Sequence, residues 1–152
     1  MVNVMIQSSP APAGDRIIES MIALARCSKQ QRIIVAGSKS VEQMLDLHRR
    51  GYDRAAATAN CGRPAGQYDV ALVDWRRRTF RTMETTLDWL MDFLSPAATL
   101  VVWVDSQKPA ANQNLHAALE RRGFLIEDGT VHEFGYAVSA RRRELNPMRK
   151  AA

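Results

Sequence analysis

Two stretches of the sequence carry residues that could bind a ligand, and the first surrounds a single glycine. Residues 32–45, RIIVAGSKSVEQML, run from an apolar segment through Gly37 into a segment with helical spacing. The start of a helix exposes unpaired N–H groups, and its dipole is positive at that end. The sequence therefore predicts a candidate site for a phosphate or carboxylate at Ser38 and Lys39.

A simpler interpretation is that this helix caps itself. Ser40 and Gln43 have the spacing of a capping box, in which the serine hydroxyl group accepts a hydrogen bond from the helix backbone. No ligand is needed in that arrangement. The sequence leaves both interpretations open.

The second stretch follows an apolar run with the pattern of a buried strand. Residues 68–81, YDVALVDWRRRTFR, place Asp74 and Trp75 at the end of that run. Ligands of α/β proteins bind at the carboxyl ends of the strands, so Asp74 could face a ligand. It could equally cap the segment that follows.

Basic and aromatic residues are interleaved after Asp74. Such a segment could stack on bases and contact phosphates, or it could be a solvated loop. We predict anion or nucleic-acid contacts at four residues: Lys39, Arg76, Arg77 and Arg78.

The other residues of catalytic type do not form a recognisable centre. The three histidines fall in separate predicted elements: His48, His116 and His132. They lack the spacing of metal ligands, so we expect no metal site. Asp105 ends a predicted strand and either lines the same edge as Asp74 or forms a turn.

Length and composition indicate one domain without a membrane anchor. The chain has 152 residues, of which 46% are hydrophobic and 24% charged, as in ordinary globular proteins. The N-terminus has no basic leader, and the longest apolar run is far too short for a membrane-spanning helix. Cys27 and Cys61 are too few for a disulfide framework, so we expect reduced thiols in a cytoplasmic protein.

The net charge is +5 and arginine clusters carry it. Such a surface attracts anions, including nucleic acid. The pairs at residues 49–50 and 121–122 precede glycines that would end helices, where cations offset the helix dipole. The triplets at 76–78 and 141–143 have no such explanation.

Periodicity divides the chain into alternating helices and strands. Apolar spacing predicts helices at residues 15–27, 40–50, 82–94 and 109–122. Apolar runs predict strands at residues 32–37, 54–59, 68–75 and 98–105. Residues 124–143 have the pattern of a hairpin with its turn at Asp128 and Gly129. This order predicts an α/β fold with a mostly parallel sheet and an antiparallel edge.

We expect one domain at residues 15–144. A disordered segment, residues 1–14, precedes it, and a flexible basic tail, residues 145–152, follows it.

Two helices have faces that bear on packing. The predicted inward stripe of the second helix is Val41, Met44, Leu45 and His48. In the third helix, Trp89 and Phe93 lie off the apolar stripe. Either the N-terminal helix covers this pair, or a second copy of the chain does so in a homodimer.

Four segments, in this order, resemble the class I S-adenosylmethionine-dependent methyltransferase family over residues 32–143. They are LHRRGYDRAAATA, GQYDVALVDW, LSPAATLVVWV and LERRGFLIEDGTVHEFGYAVSARR. The resemblance implies a Rossmann-like three-layer sandwich and S-adenosylmethionine as cofactor. It places the cofactor site at five residues: Gly37, Ser38, Asn60, Asp74 and Trp75.

The cofactor motifs of that family are altered here. The family's acid and three glycines at the end of the first strand fall on Val35, Gly37, Lys39 and Val41. Side chains at positions 39 and 41 obstruct the approach of backbone N–H groups to a ligand. Asn60 stands where the family has an acid that binds the ribose. About ten residues replace the family's third strand with its helix, so we expect that strand to be missing.

These departures favour a methyltransferase-like domain that acts as a non-catalytic binding or regulatory protein, with no bound cofactor. One alternative is an active S-adenosylmethionine-dependent methyltransferase with an atypical pocket at Gly37, Asn60 and Asp74. Another is a basic nucleic-acid-binding module that uses the arginine triplets. Whether the chain is an enzyme stays open, and its partner is either a protein or a nucleic acid.

Overall fold

The computed structural model describes residues 13–132 and 135–143, with the backbone alone at residues 13–16. The helices are α1 (Ala13–Ala25), α2 (Ser40–Arg49), α3 (Phe80–Leu90) and α4 (Pro109–Arg121). The strands are β1 (Ile33–Gly37), β2 (Ala55–Ala57), β3 (Tyr68–Asp74), β4 (Leu94–Val104), β5 (Phe124–His132) and β6 (Gly135–Arg142). The predicted disordered segment and basic tail lie outside the described residues, except for residues 13 and 14, where α1 begins.

The strands form one sheet in the order β2-β1-β3-β4-β6-β5. The first four are parallel, and β6 is antiparallel to both β4 and β5. Residues 61–67, which connect β2 to β3, contain no strand, so β2 lies at an edge of the sheet. The predicted α/β fold, with a C-terminal hairpin and without the usual third strand, is confirmed.

Helices cover both faces of the sheet and make three layers. Ile33 and Val35 of β1 pack in the core beneath α1 and α2, whereas Ile34 and Ala36 point into the core beneath α3 and α4. Because the central strands are covered on both faces, their middle segments are apolar without interruption: residues 33–36, 70–73 and 100–104.

The pair Trp89 and Phe93 lies on the opposite face of the sheet from α1, so the N-terminal helix does not cover it. Phe93 is buried in the core, and Trp89 packs on it with 4.3 Å between the ring centroids. Trp89 remains 42% exposed. A homodimer through this pair stays a prediction, and its contact surface is reduced to Trp89.

The predicted inward stripe of α2 is correct at Met44, which is buried, and wrong at Val41 and Leu45. Val41 and Leu45 are 46% and 45% exposed, and His48 is only partly buried. The buried residues are Ser40, Gln43, Met44, Asp46 and Leu47. Three of these five are polar, so hydrophobic periodicity could not identify this face.

The third helix is shorter than predicted. It ends at Leu90, and a 3₁₀ turn, Met91–Phe93, leads into β4, which begins at Leu94. Arg142 of β6 donates hydrogen bonds from Nη1 to the carbonyl oxygens of Met91, at 3.1 Å, and Leu94, at 2.7 Å. A distant arginine therefore satisfies carbonyl groups at the helix end, which local periodicity does not indicate.

The hairpin is confirmed, but its turn is not at Asp128 and Gly129. Both residues belong to β5, next to an irregularity in the pairing between Ile126 and Asp128. A Cβ atom at Gly129 would collide with the hydroxyl group of Tyr136 on β6. This glycine therefore makes room for the Tyr136 side chain. An Asp-Gly pair in the sequence looks the same in this role as in a turn.

Candidate functional site

The sheet brings Gly37 and Asp74 together at the carboxyl edge, where β1 and β3 end as paired neighbours. Gly37 has a φ of +123°, and a Cβ atom there would collide with the carbonyl oxygen of Asp74. Strand β3 by itself therefore requires a glycine at this position. The glycine that stands out in the sequence is explained without a ligand.

The carboxylate of Asp74 is buried and has partners on both oxygens. Arg76 donates from Nε to Oδ1 at 2.9 Å and from Nη2 to Oδ2 at 3.0 Å. Gln43 of α2 donates from Nε2 to the same Oδ2 at 3.1 Å. A two-bond arginine–carboxylate contact of this kind is both strong and geometrically specific.

Arg76 also closes a turn on Asp74, because its backbone N–H donates to Oδ1 at 3.3 Å. The hydrogen bonds to Asp74 raise the pKa of the Arg76 guanidinium above its ordinary value, and the charge of Asp105 adds to the effect. Arg76 therefore stays charged. The sequence left open whether Asp74 faces a ligand or caps the following segment. Its hydrogen bonds to Arg76 are those of a residue that caps the following segment.

The capping box predicted for α2 does not form. Lys39 occupies the N-cap position, and no side chain caps the helix. Gln43 points into the sheet toward Asp74 instead, and its Oε1 atom is buried with no partner among the described residues. Ser38 and Lys39 are exposed at the helix start, where the predicted anion site stays a prediction.

Asn60 serves the edge strand β2. Its Oδ1 atom accepts a hydrogen bond from the backbone N–H of Ala57 at 2.9 Å, and its Nδ2 atom lies 3.6 Å from the sulfur of Met44. His48 of α2 also contacts this strand, since its Nε2 atom lies 2.8 Å from the carbonyl oxygen of Ala55. In a parallel strand the backbone groups of alternate residues point to opposite sides. The N–H of Ala57 and the carbonyl group of Ala55 therefore point away from β1, to the open side of β2. Asn60 and His48 thus occupy positions that a third strand would fill.

The segment after Asp74 is well fixed by Trp75. This side chain is buried, and its Nε1 atom donates to the carbonyl oxygen of Thr79 at 2.9 Å. The guanidinium carbon of Arg78 lies 4.3 Å from the centre of the Trp75 ring, a cation–π contact. Thr79 then caps α3, because its hydroxyl oxygen accepts from the N–H of Thr82.

Asp105 and Arg77 join this segment to the loop after β4. The backbone N–H of Arg77 donates to Oδ2 of Asp105 at 2.6 Å, and Arg77 has a φ of +63°. Beside this contact lies a cavity of about 60 Å³ lined by Trp75, Arg78, Phe80, Met83, Val104, Asp105, Gln107 and Leu115. Asp105 therefore does line the carboxyl edge, as one of its two interpretations had it.

The basic residues of the arginine clusters and those of the carboxyl edge have different surroundings. Those at 49–50 and 121–122 pair with carboxylates of helix residues, Arg141 pairs with Glu127, and Arg142 binds carbonyl groups. At the carboxyl edge, five exposed side chains have no acidic partner among the residues described: Lys39, Arg77, Arg78, Arg81 and Lys108. We call these five residues the cationic edge.

No group of three metal-ligating side chains occurs in the described part of the chain. His116 binds the hydroxyl group of Tyr136 at 2.7 Å, and His132 packs on the ring of Trp103. Burial raises the pKa of the Cys27 thiol to about 11, so it is a poor nucleophile at neutral pH. Across the described ranges, every helix is too short or too polar to cross a bilayer.

Sequence reasoning missed two contributors to this edge, Gln43 and Gln107. The first was assigned to a capping box, and the second carried no motif. Phe80 belonged to the stretch of interleaved aromatic and basic residues after Asp74. One local signal was available for Asp74, since an aspartate followed two residues later by arginine can close a turn on itself.

Comparisons with known proteins identify the fold and nothing finer. No family model matches the chain, and no curated protein matches it. Among solved structures, it is similar to a ribosomal protein L11 methylase from Lactobacillus delbrueckii subsp. bulgaricus. That match has a TM-score of 0.64 and 11% identity, and it covers 87% of this chain and 80% of the other.

Two other solved structures share the fold and differ in their named activities. Magnesium protoporphyrin IX methyltransferase from Synechocystis PCC 6803, with bound S-adenosylmethionine, matches with a TM-score of 0.57 and 13% identity over 86% of this chain and 80% of that one. The cyclase SpnF matches with a TM-score of 0.64 and 13% identity over 86% and 82%. The class I methyltransferase-like, Rossmann-like fold is therefore confirmed, and a named cyclase shares it, so the fold alone does not assign methyl transfer.

Proposed function

We propose that this chain is a methyltransferase-like protein that binds a ligand or partner at its carboxyl edge without transferring a methyl group. The observation that carries the proposal is the contact between Arg76 and Asp74. The chain's own guanidinium group takes both oxygens of the carboxylate at the end of β3.

The charges of this edge do not favour the cationic groups of S-adenosylmethionine. The reacting end of that cofactor carries a sulfonium group, an ammonium group and one carboxylate. Asp74 is neutralised by Arg76, and Lys39 stands exposed at the start of α2, where of these three groups only the carboxylate would suit it. The two cationic groups placed near Gly37 would meet no free carboxylate at Asp74.

The contacts to the rest of the cofactor are also missing. Val35, at the family's acid position, is buried in the sheet beneath α1 and α2. The Oδ1 atom of Asn60 already accepts from the backbone N–H of Ala57, so this amide oxygen keeps one lone pair where a free carboxylate would offer about four. The residues present do not fit the cofactor.

The proposal is tested by calorimetric titration of the full chain with S-adenosylmethionine and with S-adenosylhomocysteine. We expect no saturable binding up to millimolar concentration. Saturable binding in the micromolar range would overturn the proposal and favour an active methyltransferase with an atypical pocket.

A variant makes the titration more informative. Arg76→Gln removes the guanidinium charge and keeps a side chain that can donate one hydrogen bond to Asp74. If the arginine is what excludes the cationic cofactor, this variant binds more tightly than the wild-type chain. Equal absence of binding in both would place the obstruction at Lys39 and Val41 instead.

A further inference from the structure

We propose that the cationic edge binds the phosphate of a nucleotide, and that the unpaired base of that nucleotide stacks against Arg78 and Phe80. The ligand is a nucleotide unit, either free or within a single strand. The inference rests on the proposed function, because it assigns a ligand class to the same edge of the sheet.

The charge of the cationic edge has no counterpart inside the chain. Its residues lie in the loops after β1, β3 and β4, which are adjacent strands, except that Arg81 lies in the first turn of α3. Three acids lie in or next to these loops: Glu42, Asp74 and Asp105. Asp74 is paired with Arg76, so five cations face two remaining carboxylates. Such an excess on exposed side chains attracts phosphate groups.

Arg78 presents a flat surface that is already held in place. Its guanidinium group lies over Trp75, whose ring is buried and bonded to Thr79. One face of the guanidinium group contacts the tryptophan, and Arg78 remains exposed. Unpaired bases stack on arginine planes and on aromatic rings in single-strand recognition.

Phe80 supplies a second stacking surface beside Arg78. It is 40% exposed, although it is a large aromatic side chain. Both residues line the cavity of about 60 Å³, which holds a few water molecules or the edge of a ring. Gln107 and Asp105 line the same cavity, so a base edge would meet an amide and a carboxylate that can hydrogen-bond to it.

The backbone of Arg77 is held by the loop after β4. Its φ of +63° lies in the left-handed region. Asp105 holds the loop in this conformation by accepting from the N–H of Arg77. Arg26 shares the left-handed backbone, so a role for Arg77 in binding rests on its place in the cationic edge.

The chain offers a matched control at Arg26. This residue is also an exposed arginine with a left-handed φ, +54°, and it follows α1 in the loop that leads to the start of β1. Arg26→Gly and Arg77→Gly therefore make the same chemical change in the same backbone region. They differ in location, since only Arg77 belongs to the cationic edge.

The first experiment titrates a labelled single strand of about 12 nucleotides against the full chain, as DNA and as RNA. We expect Arg77→Gly to weaken binding about tenfold and to reduce the slope of log affinity against log salt by roughly 0.7, while circular dichroism shows an intact fold. We expect Arg26→Gly to change affinity less than about twofold. Equal losses in both variants would overturn the inference, and so would a wild-type chain that binds neither the strand nor AMP.

The second experiment separates stacking from charge. Arg78→Lys keeps the charge but removes the planar group, so we expect weaker binding to the single strand with an unchanged salt slope. The duplex of the same sequence should bind more weakly than the single strand. Equal binding of duplex and single strand, or no effect of Arg78→Lys, would overturn the stacking contact.

Titration with AMP identifies the source of the nucleotide. If AMP binds as tightly as the strand, the ligand is a free nucleotide; if only the strand binds, the ligand is a nucleic acid. These outcomes are independent of the cofactor titration. Binding of S-adenosylmethionine overturns the proposed function, whereas absence of any nucleotide or strand binding overturns only this inference.

Discussion

Arginines at two places on this protein have opposite surroundings. Between α3 and α4, Arg122 donates to Asp88 at 2.8 Å and to Glu84 at 3.4 Å, and Arg121 also reaches Glu84. At the cationic edge, the side chains of Arg77, Arg78 and Arg81 form no ion pair with a carboxylate among the described residues. The clusters look alike in the sequence, yet one joins two helices and the other faces solvent.

The difference shows what decides whether an arginine cluster is structural. The α4 arginines meet acids that are more than thirty residues away in the sequence, on a helix packed beside them. The edge arginines follow a strand end, where the packed neighbours are backbone and aromatic rings. Arg76 is the exception, because Asp74 lies only two residues away and is buried.

The largest expected effect is at that exception. Arg76→Ala removes the guanidinium charge and leaves the buried carboxylate of Asp74 with only Gln43 and the backbone N–H of residue 76, so we expect the free energy of unfolding to fall by about 3 kcal/mol. Urea denaturation measures it. Adding Asp74→Asn to the variant should restore part of the loss, and a double variant as unstable as the sum of the two would contradict the explanation.

A smaller effect is expected between α3 and α4. The Arg122 side chain is 14% exposed and also donates to the carbonyl oxygen of Ala118, whereas the Arg121 side chain is 62% exposed. We expect Arg122→Ala to cost about 1 kcal/mol and Arg121→Ala less than about 0.5 kcal/mol. Denaturation at low and high salt tests this. Equal costs would mean that exposure does not set the strength of these pairs.

The cationic edge should gain stability when its charge is removed. Lys39 occupies the N-cap of α2, where the helix dipole disfavours a cation and an acceptor is preferred. We expect Lys39→Asp to raise the unfolding free energy by about 0.5–1 kcal/mol. Arg63→Asp, in the exposed loop between β2 and β3, makes the same charge change away from a helix and serves as control. A loss of stability in Lys39→Asp would contradict the view that the cations of this edge, unlike the paired arginines of α4, do not stabilise the fold.

The smallest effect on stability is expected for Trp89→Ala, which tests assembly. If the exposed part of Trp89 forms the predicted homodimer, wild-type chains should elute as dimers in size exclusion with light scattering, and this variant as monomers. Phe93→Ala is unsuitable, because Phe93 is part of the core and its removal would disturb folding. A monomeric wild-type chain would end the dimer proposal.

Much of the fold could be predicted because its signals are local. Residues 33–36, 70–73 and 100–104 are apolar without interruption since they are covered on both faces, and Gly51 follows the end of α2. Predictions failed where polar residues turn inward. Gln43 of α2 is buried and donates its hydrogen bond to Asp74 of β3. The two residues are 31 positions apart in the sequence.

The candidate site was less predictable for a related reason. Gly37, Asn60 and Asp74 were identified by their types and positions, but their hydrogen bonds and close contacts are with the chain itself. A sequence pattern shows which groups stand at an edge. It does not show that Asp74 pairs with an arginine two residues away, or that Asn60 accepts from the N–H of Ala57 in β2.

The way Asn60 and His48 close β2 has a consequence for self-association. An unprotected border strand offers rows of donors and acceptors on which another molecule can add a strand, the first step toward fibrils. Here the N–H of Ala57 and the carbonyl group of Ala55 are already engaged by side chains. A protein that dispenses with an outer strand can therefore stay discrete, because two side chains end the growth of its sheet on that side.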